Sequence, residues 1–268
     1  MKLHGKTALV TGASRGIGRA IALELARQHC RCLILVARDA ERLTEVATAI
    51  EAIGTHAVIL PVDLTQPVDV HVAVANVWQR CGPIDLLVNC AGVSHQTPFL
   101  QSRLPQVEAE LSTNLVGLYT ITHLVARRMV VYRQGHIVNV SSLMGKVAAP
   151  TMATYSATKF AILGFSQALR GELAPHNVKV TSLLPSLTDT DMVRHFDWFR
   201  WVQPMTAEQV AGALVRGLQR ESAEIVVGWQ ARLAVMGNRV APGLVERVVQ
   251  WAAPPAPRQP VFRLEKTF

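Results

Sequence analysis

Thr7-Ala8-Leu9-Val10-Thr11-Gly12-Ala13-Ser14-Arg15-Gly16-Ile17-Gly18 is the stretch from which the fold is read. Its first half, residues 6–11, is an apolar run of the kind a buried strand requires. Residues 17–29 carry the period of an amphipathic helix. Between them, glycines let the backbone turn sharply and approach a ligand closely. The helix aims its free N–H groups and the positive end of its dipole at that turn, a place suited to phosphate. Gly12, Ser14, Arg15, Gly16, Ile17 and Gly18 are therefore expected around a bound pyrophosphate. A glycine pattern alone is weak evidence; its place between first strand and first helix is the context it needs.

The same alternation continues outward. Short apolar runs at 32–37, 56–62, 86–89, 135–141, 179–184 and 224–227 read as strands. Helical periods occupy 40–53, 68–81, a long segment at 107–131, 155–173 and 207–220. Seven strands alternating with helices imply parallel pairing through right-handed crossovers. The strands are apolar on both faces, as when helices cover both sides of the sheet. The expected fold class is α/β, a doubly wound sheet of about seven parallel strands, with ligands beyond the carboxyl ends of the strands. At 268 residues the chain has room for one large domain of this kind. Residues 1–228 are expected to form the nucleotide-binding catalytic unit with a lid at about 190–205. Residues 229–268 are expected to be a helical extension and tail of the same domain, broken at Pro254-Pro255-Ala256-Pro257.

Half of the residues are hydrophobic and 17% are charged, which excludes wholesale disorder. The formal net charge of +8 is spread thinly and carried mostly by arginine. No basic run interleaved with aromatics appears, so nucleic acid is not an expected partner. Cys30, Cys32, Cys81 and Cys90 have apolar neighbours and no metal-ligand spacing; they read as small core residues in a reducing compartment, and no metal site is expected. The N-terminus leads straight into the first strand, and no stretch has the roughly 18 apolar residues of a spanning helix. A cytoplasmic protein is expected, with peripheral membrane contact left open. Asn139-Val140-Ser141 fits a glycosylation pattern but ends an apolar strand, and is discounted.

The second strand ends in Val36-Ala37-Arg38-Asp39. An acid at its end would bind a ribose 2′-hydroxyl; Ala37 stands there instead, and Arg38 follows. Arg38 and Arg15 together favour a 2′-phosphate through charge-assisted bonds, hence NADP(H). The alternatives are a surface pair of Arg38 with Asp39 or Glu41, and an Asp39 turned inward that would weaken the preference. Asp63-Leu64 ends the third strand, where the carboxylate either accepts from an adenine amino group or caps the next helix. In Asn89-Cys90-Ala91-Gly92, small residues let backbone lie along a cofactor.

Tyr155 and Lys159 are four residues apart and share one helical face. An ammonium beside a phenol favours the phenolate, so the Tyr155 pKa is expected to fall toward neutrality and suit proton transfer. Ser142, at a strand end, can hold a carbonyl oxygen.

With these segments in place, the sequence resembles the short-chain dehydrogenase/reductase family over roughly residues 5 to 228. The resemblance is carried by the Thr-Gly-x-x-x-Gly-x-Gly loop at Thr11 to Gly18, by Asn89-Cys90-Ala91-Gly92, by Asn114 in Asn114-Leu115-Val116-Gly117, and by Ser142 with Tyr155-x-x-x-Lys159. It implies a Rossmann-type fold, a nicotinamide cofactor, and a homodimer or homotetramer paired through the helices carrying Asn114 and Tyr155. It also implies roles. Tyr155 protonates the carbonyl as hydride arrives, Lys159 binds the nicotinamide ribose and tunes Tyr155, Ser142 orients the carbonyl, and Asn114 helps hold a relay water. Two positions depart from the family pattern. Cys90 stands where the motif has a second asparagine. Pro185-Ser186-Leu187-Thr188-Asp189-Thr190 has serine in place of a glycine, which puts the turn in doubt; Pro185 and either Thr188 or Thr190, with Thr190 favoured, are expected at the carboxamide.

The lid that follows carries Phe196, Trp198, Phe199 and Trp201. It suits a hydrophobic carbonyl substrate such as an acyl chain, a steroid or another lipid-like ketone, with arginines for a carrier-linked acyl group; plain packing of a lid is the alternative. Apolar stripes at Leu233, Met236 and Val240 and at Leu244, Val245, Val248 and Val249 mark C-terminal helices interrupted at Gly237, Pro242 and Gly243. Such helices cover the cleft, pack on another subunit, or rest on a membrane. The expectation is an NADPH-dependent ketone reductase. An NAD(P)-dependent alcohol dehydrogenase and a non-catalytic NADP-binding or membrane-associated protein are the alternatives.

Overall fold

The computed structural model describes residues 1–254; the expected tail beyond lies outside the described residues. Seven parallel strands form one sheet in the order β3-β2-β1-β4-β5-β6-β7. They are β1 (Thr7–Thr11), β2 (Cys32–Ala37), β3 (His56–Pro61), β4 (Leu86–Asn89), β5 (Gly135–Val140), β6 (Val178–Leu184) and β7 (Glu224–Val226). The chain winds outward from β1 to β3, then returns to place β4 on the other side of β1. The carboxyl ends of β1 and β4 thus flank the switch point, where such sheets leave a crevice.

Helices α1 (Gly16–Arg27), α2 (Ala40–Glu51) and α7 (Ala207–Gln219) cover one face, where Ile21, Leu25, Leu43, Leu214 and Leu218 meet Leu33 and Leu35. Helices α3 (Pro67–Cys81) and α5 (Leu118–Tyr132) and the end of α6 (Ala153–Leu173) cover the other. Burying each such leucine contributes about 1.5–3 kcal/mol, so a sheet covered on both faces holds its crevice rigidly. Local signals set the ends. Asp39 caps α2, Pro67 opens α3, and Thr206 with Gln209 forms a reciprocal capping box on α7.

The long helix expected over 107–131 is interrupted. Helix α4 (Leu104–Leu111) runs into a π-helical turn at Ser112–Gly117 before α5 begins. Gly117 lets this turn lie against Leu64, where a Cβ would sit 2.9 Å from the Leu64 Cβ. The C-terminal stripes form α8 (Trp229–Val240) and α9 (Pro242–Ala252). Gly237 does not break α8; it lets Val245 of α9 approach closely. Asn139 is buried in β5 and bonds Ser166, consistent with discounting it as a glycosylation site.

Candidate active site

A cavity of about 750 Å³ runs along the carboxyl ends of the strands from the glycine loop to α8 and α9. At one end is the loop after β1. Gly12 (φ +67°) and Gly16 (φ +55°) adopt the left-handed region. A Cβ on Gly12 would lie 2.9 Å from Ala91 Cα, and one on Gly18 would strike the Gly12 carbonyl. The loop therefore keeps a shallow cradle at the N-terminus of α1 that side chains would fill, which fits a pyrophosphate. Thr11 supports it from below: its hydroxyl accepts from Cys90 N and Ala91 N, each at 3.0 Å.

The outer rim is arginine-rich. Arg15, Arg38 and Arg42 all line the cavity. Arg38 is 71% exposed and lies 3.8 Å from Asp63 Oδ2, rather than paired with Asp39 or Glu41. Asp39 is spent locally: it caps α2 through Arg42 N at 3.0 Å and faces the Arg42 guanidinium at 3.4 Å. Asp63 does not cap α3, whose N-cap is Gln66. Instead its Oδ1 accepts from Thr65 N and Oγ, leaving Oδ2 at the cavity edge beside Leu64.

At the inner end, β5 and α6 bring Ser142, Tyr155 and Lys159 together on one wall. Helix α6 begins at Ala153, a turn that puts Tyr155 at its entrance with Lys159 one turn deeper. The Lys159 ammonium donates to Val140 O at 3.0 Å and lies 5.4 Å from the centre of the Tyr155 ring. Ser141 Oγ donates to the Lys159 carbonyl at 2.8 Å, locking strand end to helix. Burial lowers the Lys159 pKa to about 8, opposed by the nearby Glu110 carboxylate.

The Tyr155 phenol departs from expectation. Its pKa is pushed up to about 12, first by burial, although a hydrogen bond with Ser142 pulls the other way and Glu110 and Cys90 add to the rise. Desolvation is the largest cause, while the Lys159 ammonium is bonded to Val140 O and lies over the ring. The phenol is thus fully protonated at neutral pH.

Two expected site residues stand outside the cavity wall. Asn89 is buried and turned away: its amide donates to Thr122 Oγ at 2.7 Å and Asn139 Oδ1 at 2.8 Å. Its role is to tie β4 to β5 and α5. Asn114, in the π-helical turn, clamps the chain after β4. Its Oδ1 accepts from Val93 N (2.8 Å), and its amide donates to Val93 O (2.9 Å) and Thr158 Oγ (3.2 Å). Gly92 packs in front of it: a Cβ there would lie 3.2 Å from Asn114 Oδ1 and 3.8 Å from Lys159 Nζ.

After β6, Pro185, Thr188 and Thr190 line the cavity. Ser186 carries no left-handed backbone, so serine fits the turn that was in doubt. Its buried hydroxyl has no hydrogen-bond partner among the described residues. Thr188 turns its hydroxyl back onto Ser186 O at 3.0 Å, whereas Thr190 packs beside Gly16. Cys90 also corrects the reading of four core cysteines. Cys30, Cys32 and Cys81 are buried, but Cys90 lines the cavity as a neutral thiol, its pKa raised to about 12 by burial.

Several contributors carried no motif. Glu110 is only 2% exposed; one carboxylate oxygen takes His95 N and lies 3.1 Å from His95 Nδ1, and the other has no hydrogen-bond partner among the described residues. Its one signal was position, one helical turn before Asn114. Gln96 clasps the lid: its amide donates to Asp197 O at 2.9 Å and its carbonyl accepts from Asp197 N at 2.7 Å. Phe196, Trp198, Phe199 and Trp201 all face the cavity. Arg200 N donates to Ala252 O, and the Gln230 amide donates to Trp201 O, so the lid is fastened to both C-terminal helices, which cover the cleft. Among the described residues, no group of His, Cys, Asp and Glu suits a metal ion.

Comparison with known proteins agrees with this geometry. The family model for short chain dehydrogenase matches residues 6–199. A 3-oxoacyl-(acyl-carrier-protein) reductase of Aquifex aeolicus is 37% identical over 193 residues, 72% of this chain and 77% of its own. A ketoacyl reductase of Nostoc sp. is 29% identical over 258 residues, covering 93% of this chain and 90% of the relative. A short chain dehydrogenase of Burkholderia cenocepacia, solved with NADP, superposes with a TM-score of 0.82 at 28% identity, covering 93% of this chain and 99% of that one.

Proposed function

Since the chain belongs to the short-chain dehydrogenase family of oxidoreductases, we propose that it is an NADPH-dependent reductase of a hydrophobic ketone, with Tyr155 as general acid. The observation that carries this reading is one continuous cavity with a phosphate cradle at one end and Ser142, Tyr155 and Lys159 beside an aromatic lid at the other.

The residues fit the cofactor in order. The Gly12–Gly18 loop would take the pyrophosphate, and Arg15, Arg38 and Arg42 a 2′-phosphate. Asp63 and Leu64 would lie at the adenine, Ala91 and Gly92 along the ribose, and Pro185 with Thr190 at the carboxamide. When bound there, the reduced nicotinamide supplies a hydride to the substrate carbonyl carbon. Ser142 holds the carbonyl oxygen, and Tyr155 gives that oxygen its proton, so ketone, hydride and proton balance as a secondary alcohol. A phenol with its pKa near 12 is always loaded for this donation. Lys159, anchored on Val140, would hold the nicotinamide ribose through its ammonium and support the phenolate that donation leaves. Asn114 shapes the site by fixing the chain at Val93. The lid aromatics and the two named ketoacyl reductases favour a 3-oxoacyl chain.

The test is NADPH oxidation with ketones graded by chain length and head group, using wild type and Tyr155→Phe. Expected are turnover that rises with chain length and a loss of at least about 10²-fold in the variant. An unchanged rate in Tyr155→Phe overturns the mechanism; equal turnover of polar and apolar ketones overturns the substrate class.

A further inference from the structure

Helices α8 and α9 leave a long apolar face in solvent. Trp229, Leu233, Met236 and Val240 follow one another along one side of α8, at spacings of four, three and four residues. Leu244, Val248 and Trp251 do the same on α9. Both stripes are exposed, and α9 buries only Ala252 fully. Single exposed apolar residues need no explanation, but two aligned stripes do.

Charge is arranged beside this face. Arg232 and Arg239 lie on one flank of the α8 stripe, and Arg247 takes the matching flank of the α9 stripe. None of the three has an ion-pair partner among the described residues. The one acid on the two helices, Glu246, turns away toward Gln250. Residues 255–268, which follow α9 in the sequence, carry Arg258, Arg263 and Lys266 against Glu265.

The face is continuous with the active-site cavity. Val248 and Trp201 belong both to the exposed surface and to the cavity wall, and Trp201 packs on Trp251 at 4.7 Å. The next positions around the same helices, Ala234 and Val249, line the cavity.

We propose that α8 and α9 dock in the plane of an anionic phospholipid surface, with the mouth of the cavity against the lipid. Helices of 12 and 11 residues are far short of the roughly 20 needed to span, but they suit an interfacial position, with arginines reaching headgroups from the flank of an apolar face. Two copies of this chain pairing through the same face would bring together six guanidiniums and two carboxylates, a poor match in charge. The docking does not require ketone reduction, and it is read without substrate.

The experiment is co-sedimentation of the full chain with phosphatidylcholine vesicles, with and without phosphatidylglycerol. Binding is expected to the phosphatidylglycerol vesicles and to weaken with added salt. The double variant Leu233→Glu with Leu244→Glu, neither of which lines the cavity, is expected to bind at least about tenfold less while its circular dichroism is unchanged. The triple variant Arg232→Ala, Arg239→Ala, Arg247→Ala, which leaves the apolar face intact, is expected to lose the preference for the anionic lipid. No binding by the wild type, or equal binding by the glutamate variant, overturns the proposal. So does a wild-type oligomer that ignores vesicles and falls apart in the glutamate variant, which would make the face a subunit contact.

Discussion

The ammonium of Lys159 reaches back from α6 to the carbonyl of Val140 at the end of β5, 3.0 Å away. In the opposite sense, Ser141 Oγ donates to the Lys159 carbonyl. These crossed bonds fix the lysine one turn below Tyr155, in a setting that lowers its pKa to about 8 by burial. The charged form is present below that value and lost above it. For a reaction that needs the ammonium, kcat/KM is expected to fall as pH rises through about 8. Lys159→Met is expected to lower kcat by about 10²-fold or more and to abolish this limb. A profile that stays flat well above pH 8 would remove the lysine from the mechanism.

Glu110 modulates the same group from α4. Its charge raises the Lys159 pKa and also raises that of Tyr155. Glu110→Gln keeps the shape and the acceptor for His95 N while removing the charge. The ammonium then loses an opposing charge, so the alkaline limb is expected to move to lower pH. A pH–rate profile of the variant checks this: a limb that stays in place would mean Glu110 only anchors His95.

These two residues show what the sequence made legible and what it hid. The glycine loop and the Tyr155–Lys159 spacing are periodic features, and helix or strand period is set by nearest neighbours along the chain. The seven-strand sheet followed from the same alternation. The π-helical turn at Ser112–Gly117 was invisible because its residues fit an unbroken helical period, and only packing of Gly117 against Leu64 sets it. Asn89 sits in a motif yet faces Asn139 across the sheet, because strand alternation, not motif membership, aims a side chain. The Tyr155 pKa was misjudged in sign, since sequence shows a lysine four residues away but not the depth of the pocket.

The arginine rim bears on cofactor choice. Arg38→Asp removes one guanidinium from the expected 2′-phosphate position and places a carboxylate beside Asp63. A charge-assisted bond contributes about 1.5–3 kcal/mol, so the ratio of kcat/KM for NADPH over NADH is expected to drop about 10- to 100-fold. Arg42→Ala is expected to act in the same direction, more weakly, because that side chain is shared with Asp39 and Asp191. Unchanged ratios in both variants would place the phosphate elsewhere.

The Gln96–Asp197 clasp joins the segment after β4 to the lid across the cavity. Gln96→Ala removes two hydrogen bonds from an exposed site, about 1–2 kcal/mol together. The lid is expected to close less often, raising KM for a long-chain ketone about 5- to 30-fold with a smaller change in kcat. Steady-state kinetics on ketones of two lengths checks it. Equal KM values in wild type and variant would show that the aromatic contacts alone hold the lid.

His136, in β5, governs stability in acid. Its Nε2 lies 2.8 Å from Thr181 Oγ, and that hydroxyl donates to Ser222 O, so Nε2 carries the ring proton and Nδ1 is buried without a partner among the described residues. Burial holds the pKa down at about 4, helped by the N-terminal ammonium and Lys179 and opposed by Glu221. In the unfolded chain the ordinary value is about 6.5. Between these two values the unfolded chain binds more protons than the folded one, so stability rises with pH through this window. As pH falls from about 6.5 to about 4, the fold is expected to lose on the order of 3 kcal/mol from this residue alone. His136→Met, similar in volume and without a titrating group, is expected to flatten that part of the profile while leaving the Thr181–Ser222 bond in place. Urea midpoints measured for both proteins from neutral pH down to pH 4 give the comparison. Parallel profiles would mean that the ring is protonated in the folded state and that the acid sensitivity lies with other groups.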